Sequence, residues 1–276
     1  MAEEFTEEIP RARRRPNCRP ALYELLSLGE RELRRAFLKA NSRAVEGGTS
    51  LVAPDCPSPA LYRLSRGWAI RTRFFPDGRR AILGVYVMGD IVGIEHALLD
   101  HSADEVVTAC AATVQPIESN ALSALMTRPA TAVYLAWLLS EAQRRSDSIA
   151  AALSRLEARE RIAMMLLDFQ QRLRQRELII PGSYNLPLTQ QQIGDYLGLT
   201  VVHVNRMLRW FRSERIAYVD KHLVIIKDLE RLKLLAAGTD RRAGDSPAAA
   251  TKAPPASGAP LAELAAFTRH KPNRPK

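Results

Sequence analysis

Residues 188–226 read LTQQQIGDYLGLTVVHVNRMLRWFRSERIAYVDKHLVII and hold the side chains best suited to chemistry on duplex DNA. Arg206 carries a planar fork of donors that pairs bidentately with guanine O6 and N7. Val202, one helical turn earlier, has no hydrogen-bonding group. It touches a thymine methyl or packs, and it cannot accept from cytosine. His203 and Asn205 suit base edges or phosphate oxygens, with Asn205 nearer the helix flank. Thr189, Arg209 and Lys221 are candidates for phosphate contact, although Arg209 and Lys221 read equally well as solvated charge.

Those groups need elements that aim them together. Thr189 with Gln192 three residues on forms a capping box, so a helix begins there. Ile193, Tyr196 and Leu197 give it an apolar face, and Gly198 suits the left-handed backbone that ends a helix. Leu199 plugs the corner and Thr200 caps a second helix. On that helix Val204, Leu208 and Phe211 fall on one face, with Met207 at its edge. Val202, His203, Asn205, Arg206 and Arg209 fall toward the other. A tight glycine turn between two short helices predicts a helix-turn-helix whose second helix, about 201–212, enters the major groove. AYVD and HLVII predict a hairpin wing around Asp220-Lys221.

Upstream, Leu135, Ala142, Ile149 and Leu156 repeat every seven residues, with Leu139, Ser146 and Leu153 four positions later. This pattern predicts a coiled-coil seam of about three heptads, hence a homodimer. The alternative is a helix buried against its own domain, which needs a wider apolar stripe. A further helix follows, with Ile162, Met165, Leu166, Phe169 and Leu173 at helical spacing.

The first half reads as strands. LYRLSRGWAIRTRFF is rich in β-branched and aromatic residues, Pro76-Asp77-Gly78 marks a turn, and AILGVYVMGDIVG continues as strand. Short strands at this spacing predict a small all-β roll or barrel. The ends differ from the middle: residues 1–20 read as a charged, flexible arm, and 239–276 as an Ala/Pro-rich tail with too few large apolar groups to order. Within that tail LAELAAF, 261–267, has the composition of a brief helix.

Across 276 residues, 40 Lys+Arg against 30 Asp+Glu give a net charge of +10, which favours a polyanionic partner. No uncharged apolar run approaches the ~20 residues of a membrane helix. The N-terminus has no apolar signal core, and three cysteines (Cys18, Cys56, Cys110) cannot all pair within a chain, so a cytoplasmic protein is expected. No phosphate-cradling loop or nucleophile elbow is evident, and no enzymatic activity is expected. His96 and His101, with Glu95 and Asp100, fit no helical ligand spacing, and no metal site is expected.

The signature LTQQQIGDYLGLTVVHVNRMLRWFRSERI resembles the winged-helix motif of the Crp/Fnr family of transcription regulators. RLSRGWAIRTRFFPDGRRAILGVYVMGDIVG resembles that family's β-roll sensor, so the likeness spans roughly 21–235. It implies an α+β fold: a β-roll of the cupin-like, cyclic-nucleotide-binding type (21–128), a long dimerisation helix (129–157) and a C-terminal winged helix-turn-helix (158–238). It implies a homodimer binding an inverted-repeat operator on double-stranded DNA, with RNA polymerase as a further partner. Arg206 takes the family's base-reading arginine position, whereas Val202 stands where many relatives have a glutamate.

The cofactor positions of the family are not matched. Where cyclic-nucleotide binders carry Arg-Ser or Arg-Thr, this chain has Ala103 and Asp104, and no nearby arginine in the cassette restores the charge. Glu95 is the nearest candidate for the ribose-binding carboxylate. Three cysteines cannot supply a four-thiolate iron–sulfur cluster, so the chain resembles an Fnr/FixK-like branch without one. No cofactor is expected. The alternative function is a cyclic-nucleotide- or thiol-redox-responsive sensor whose output is protein–protein contact.

Overall fold

The computed structural model describes residues 18–54, 61–99, 102–176, 182–220 and 222–240. A short 3-10 turn, Pro20–Leu22, leads into α1 (Tyr23–Lys39). Leu26, Gly29, Leu33 and Phe37 line its buried face at three- and four-residue spacing. Eight strands follow, β1 (Arg43–Val45), β2 (Ser50–Val52), β3 (Leu61–Arg66), β4 (Ala69–Phe74), β5 (Arg80–Tyr86), β6 (Ile91–Val92), β7 (Glu105–Thr108) and β8 (Ala112–Ile117). They pair antiparallel in two four-stranded sheets, ordered β1-β8-β3-β6 and β2-β7-β4-β5. Leu64, Ala69, Tyr86, Val106 and Val114 fill the space between the sheets. Ile70 and Val85, one residue along from Ala69 and Tyr86, belong to a different core, as the two-residue period of a strand requires.

The helical half begins with α2 (Ser119–Met126), α3 (Pro129–Arg155) and α4 (Ala158–Gln175). The first half is therefore not strands alone, because α1 precedes the roll and packs on α3. Contact between them is at backbone level: a Cβ on Gly29 would stand 2.0 Å from the Ala130 carbonyl oxygen.

The heptad positions of α3 need correcting as well. Leu135 lies in a core with Leu26, Leu33 and Phe37 of α1, and Ala142 is buried too. Leu139 packs on the same core and Ile149 on the neighbouring one, while Leu153 is 40 % exposed and Leu156 lies at the C-cap. The N-terminal part of the apolar row is thus met by α1, while its C-terminal part, Ile149 to Leu156, is only partly covered by its own chain. The outward stripe of α3 runs one residue out of step with that row, through Ala136, Ser140, Gln143, Asp147, Ala150 and Ser154.

The remainder is β9 (Ser183–Asn185), α5 (Gln190–Leu197), α6 (Val201–Ser213), β10 (Ala217–Asp220), β11 (Leu223–Ile226) and α7 (Leu229–Ala236). The three strands form one sheet ordered β10-β11-β9. Its core includes Ile162, Leu166 and Phe169 of α4, Ile193 and Leu197 of α5, Val204 and Phe211 of α6, and Leu232 of α7. The same core takes in Trp68, Ile70, Ile82 and Val85 of the roll. Among the described residues no single helix is long and apolar enough to cross a membrane. The expected tail, 241–276, most of the expected N-terminal arm, 1–17, and Cys56, Asp100, His101 and Lys221 lie outside the described residues.

Candidate nucleic-acid interface

Local side-chain chemistry sets the two helices of the site. Thr189 Oγ1 accepts from the Gln192 amide at 3.1 Å, and the Thr189 amide donates to Gln192 Oε1 at 2.8 Å, closing the capping box at the start of α5. Gly198 ends α5 at φ 63° and ψ 40°, a left-handed conformation that a side chain resists. Two residues on, Thr200 Oγ1 accepts from the His203 amide at 3.3 Å and starts α6. Gly194 is a determinant not singled out from sequence. A Cβ there would meet the Leu199 carbonyl oxygen at 2.4 Å, so the corner closes only on glycine.

The packing of α6 then decides which side chains face outward. Val204 and Phe211 are fully enclosed, and Met207 and Leu208 are half-buried against the same core. Val202, His203, Asn205, Arg206 and Arg209 are exposed, with Val202 at 73 %. The structure thus brings five of the expected residues onto one outward surface. Thr200 and Thr189 stand exposed at the N-termini of α6 and α5. Among the described residues neither Arg206 nor Arg209 has an ion-pair partner, so none of them neutralises their charge.

Two more cations join them. Arg212 is exposed, its guanidinium 6.0 Å from the centre of the Tyr218 ring. Arg215 is exposed in the turn that follows, at φ 55°. The three-residue spacing Arg206, Arg209, Arg212 was the sequence signal for this ridge. The wing turn also shifts by one residue from the sequence expectation. Asp220 pairs with Leu223, so the turn lies beyond Asp220, and His222 takes φ 71° rather than extended backbone. The His222 carbonyl accepts from the Leu186 amide at 2.6 Å, tying the turn to the segment after β9.

The roll is fastened directly to this unit. Asp90, after the Gly89 turn, is buried and accepts from both Arg172 of α4 and Arg176 at its C-terminal end. Arg172 also donates to the Val85 carbonyl, and Arg176 to the Met88 carbonyl, each at 3.0 Å. Burial alone would raise the Asp90 carboxyl, but these two guanidinium groups, with Arg145 and the Val87 amide, hold it well below the usual carboxylate range. Arg80 of β5 bonds Asp195 of α5, its Nε at 2.8 Å. Trp68 meets the Phe169 ring edge-on at 5.1 Å, and Phe169 stacks on Tyr196 at 6.3 Å.

Inside the roll the expectation of a cassette without arginine is corrected. Arg71 and Arg73 of β4 reach it across the sheet, because β4 pairs with β7. Arg73 bonds Asp104 at 2.7 Å, and Arg71 lies 3.8 Å from Asp104 and 3.5 Å from Glu95. Tyr86 donates to Glu95 at 3.0 Å. Both arginines are thereby paired internally, and so is Glu95. His96 is half-buried, and burial pushes its imidazole down in pKa. Among the described residues no group of three or more His, Cys, Asp or Glu side chains has a metal-holding arrangement.

Comparison with known proteins agrees with this geometry. The family model for the Crp-like helix-turn-helix domain matches residues 160–235. The chain is 30 % identical over 209 residues to the transcriptional activator protein FnrL of Cereibacter sphaeroides, covering 73 % of this chain and 82 % of that protein. It is 28 % identical over 191 residues to the transcriptional activatory protein AadR of Rhodopseudomonas palustris, covering 68 % and 78 %. Its fold is similar to that of FixK2 from Bradyrhizobium japonicum, with a TM-score of 0.64 at 24 % identity over 71 % of this chain and 96 % of that one. A capped helix-turn-helix with a wing, set on a β-roll, and similarity spanning both parts lead to one conclusion: the chain belongs to the Crp/Fnr family of transcription regulators.

Proposed function

We propose that this DNA-binding transcription regulator works as a homodimer that reads an inverted-repeat operator, with α6 of each protomer in successive major grooves. The carrying observation is the outward face of α6, where Val202, His203, Asn205, Arg206 and Arg209 stand exposed beyond the corner closed by Gly194 and Gly198. Arg206 pairs with a guanine, and Val202 meets a thymine methyl. Thr189, Thr200, Arg209, Arg212 and Lys221 hold the phosphates, which fixes register and makes affinity fall with salt. The two copies pair along α3, where its exposed side, including the 40 % exposed Leu153, leaves a free surface. RNA polymerase is the downstream partner, and the setting is the cytoplasm, where the operator lies.

The β-roll is not proposed to take a cyclic nucleotide. A cyclic phosphate needs an unpaired cation, and Arg71 and Arg73 already face Asp104 and Glu95. No iron–sulfur cluster is proposed either.

The test is recovery of bound DNA from a random duplex pool, followed by sedimentation of the complex. The expected motif is a palindrome with half-site centres about 34–36 Å apart, bound by two copies. A recovered motif without two-fold symmetry, or a one-to-one complex, would overturn the dimeric reading.

A further inference from the structure

A cavity of about 320 Å³ lies between α3 and the winged-helix half, away from the DNA-facing surface of α6. Its walls come from α3, α4, the Tyr196 end of α5 and the last turn of α7. The volume falls within the range of small-molecule sites.

Four charged side chains other than Arg145 belong to its chemistry, three on its wall and one behind it. Arg144 is held by Glu141 at 3.0 Å, Lys233 bonds Glu230 at 2.8 Å, and Asp168 lies 3.3 Å from Arg172. Arg145 differs. It is half-buried, it lines the cavity, and among the described residues it makes no hydrogen bond or ion pair. Its charge is felt by the Asp90 carboxyl, but no carboxylate among the described residues bonds it directly, so its donors are open to an anion placed in the cavity. The neighbouring wall is apolar, with Ile149 of α3 and Met164, Met165 and Leu167 of α4. Methionine side chains adapt their shape to a ligand body.

We propose that this cavity binds a small amphiphilic anion, a carboxylate or phosphate monoester held by Arg145 with its hydrocarbon or aryl body against Ile149, Met164 and Met165. Such a ligand bridges the long helix and the reading unit. Tyr196, on the first helix of the helix-turn-helix, lines the cavity and stacks on Phe169. Arg145 also lines a second, smaller cavity of about 30 Å³ together with Arg172, the residue that holds Asp90 of the roll. An anion on Arg145 therefore acts where the roll, the long helix and the reading unit meet. The effector role rests on the DNA-reading proposal; the binding itself does not.

The test is calorimetry on the full chain without DNA, using octanoate, octyl phosphate, octan-1-ol and inorganic phosphate. One or both amphiphilic anions bind, and the stronger of the two identifies the head group. Octan-1-ol and inorganic phosphate bind at least about tenfold more weakly, because each lacks one half of the recognition. Arg145→Gln weakens the anions by about tenfold or more, whereas Arg79→Gln, on an exposed hairpin, leaves binding unchanged. If Arg145→Gln melts early, Met164→Trp fills the apolar end and reads the same loss. No heat with either anion, equal binding of octan-1-ol, or undiminished binding in both cavity variants overturns the site. The octanoate or octyl phosphate that binds is then titrated into the operator complex. Unchanged operator affinity removes the effector role while the calorimetric site stands.

Discussion

In the proposed readout Arg206 is the residue expected to concentrate the selectivity of the outward face of α6. Its guanidinium is exposed, has no ion-pair partner among the described residues, and sits one turn after Val202. Arg206→Ala is expected to cost about 1–3 kcal/mol at the selected operator and to flatten the preference among sequences. Fluorescence anisotropy against the selected duplex and a scrambled one measures both quantities. Equal losses on the two duplexes would reassign Arg206 to phosphate. Val202 makes a complementary case. At 73 % exposure it contributes nothing to the protein core, so Val202→Glu should leave the melting temperature unchanged. The new carboxylate accepts from cytosine N4, and the preferred base at that position should move from thymine to cytosine. A selection repeated on the variant that returns the original motif would show that Val202 does not touch the base.

The elements that aim these residues depend on contacts of very different range. The helix-turn-helix was legible because its determinants are local. Thr189 finds Gln192 three residues on, Gly198 stops the helix, and Thr200 caps the next. Gly194 belongs to the same corner, and Gly194→Ala tests it. The added carbon would press on the Leu199 carbonyl from 2.4 Å, and backbone does not yield as a side-chain tip does. A loss of about 1–3 kcal/mol in chemical denaturation is expected, with operator affinity falling in parallel. The β4–β5 hairpin was legible for a similar reason, with Gly78 at φ 81° in its turn. The rest depended on distant partners. The face of α1 is matched to Ala130 and Tyr134 on α3, about a hundred residues later, and Gly29 in its middle weakens the helical signal. The pairing of Arg71 and Arg73 with Asp104 follows from the register of β4 on β7, which no short window reveals. On α3 the seven-residue period was real, but period alone does not say whether α1 or a second copy meets the row.

At the scale of the whole molecule, Asp90 joins the β-roll to the winged-helix half. One buried carboxylate holds Arg172 of α4 and Arg176 at its C-terminal end, and the Arg80–Asp195 pair adds a second tie. Removing one partner of a buried ion pair costs about 3–5 kcal/mol, because the other charges are left uncompensated. The wild type is therefore expected to melt in one calorimetric transition and Asp90→Asn in two, as the roll and the winged helix come apart separately. The pH dependence gives an independent reading. The folded-state pKa of Asp90 lies below its unfolded value of about 3.9. Its contribution is then complete above that value and is lost as pH falls through the folded one. Between about pH 5 and 8 the stability difference between wild type and Asp90→Asn should be constant, and below about pH 4 it should shrink. A difference that instead grows on acidification would mean that Asp90 is protonated in the folded chain. Arg172 and Arg176 would then hold no charge from the roll, and the two halves would be joined only by the Trp68–Phe169–Tyr196 packing and the Arg80 tie.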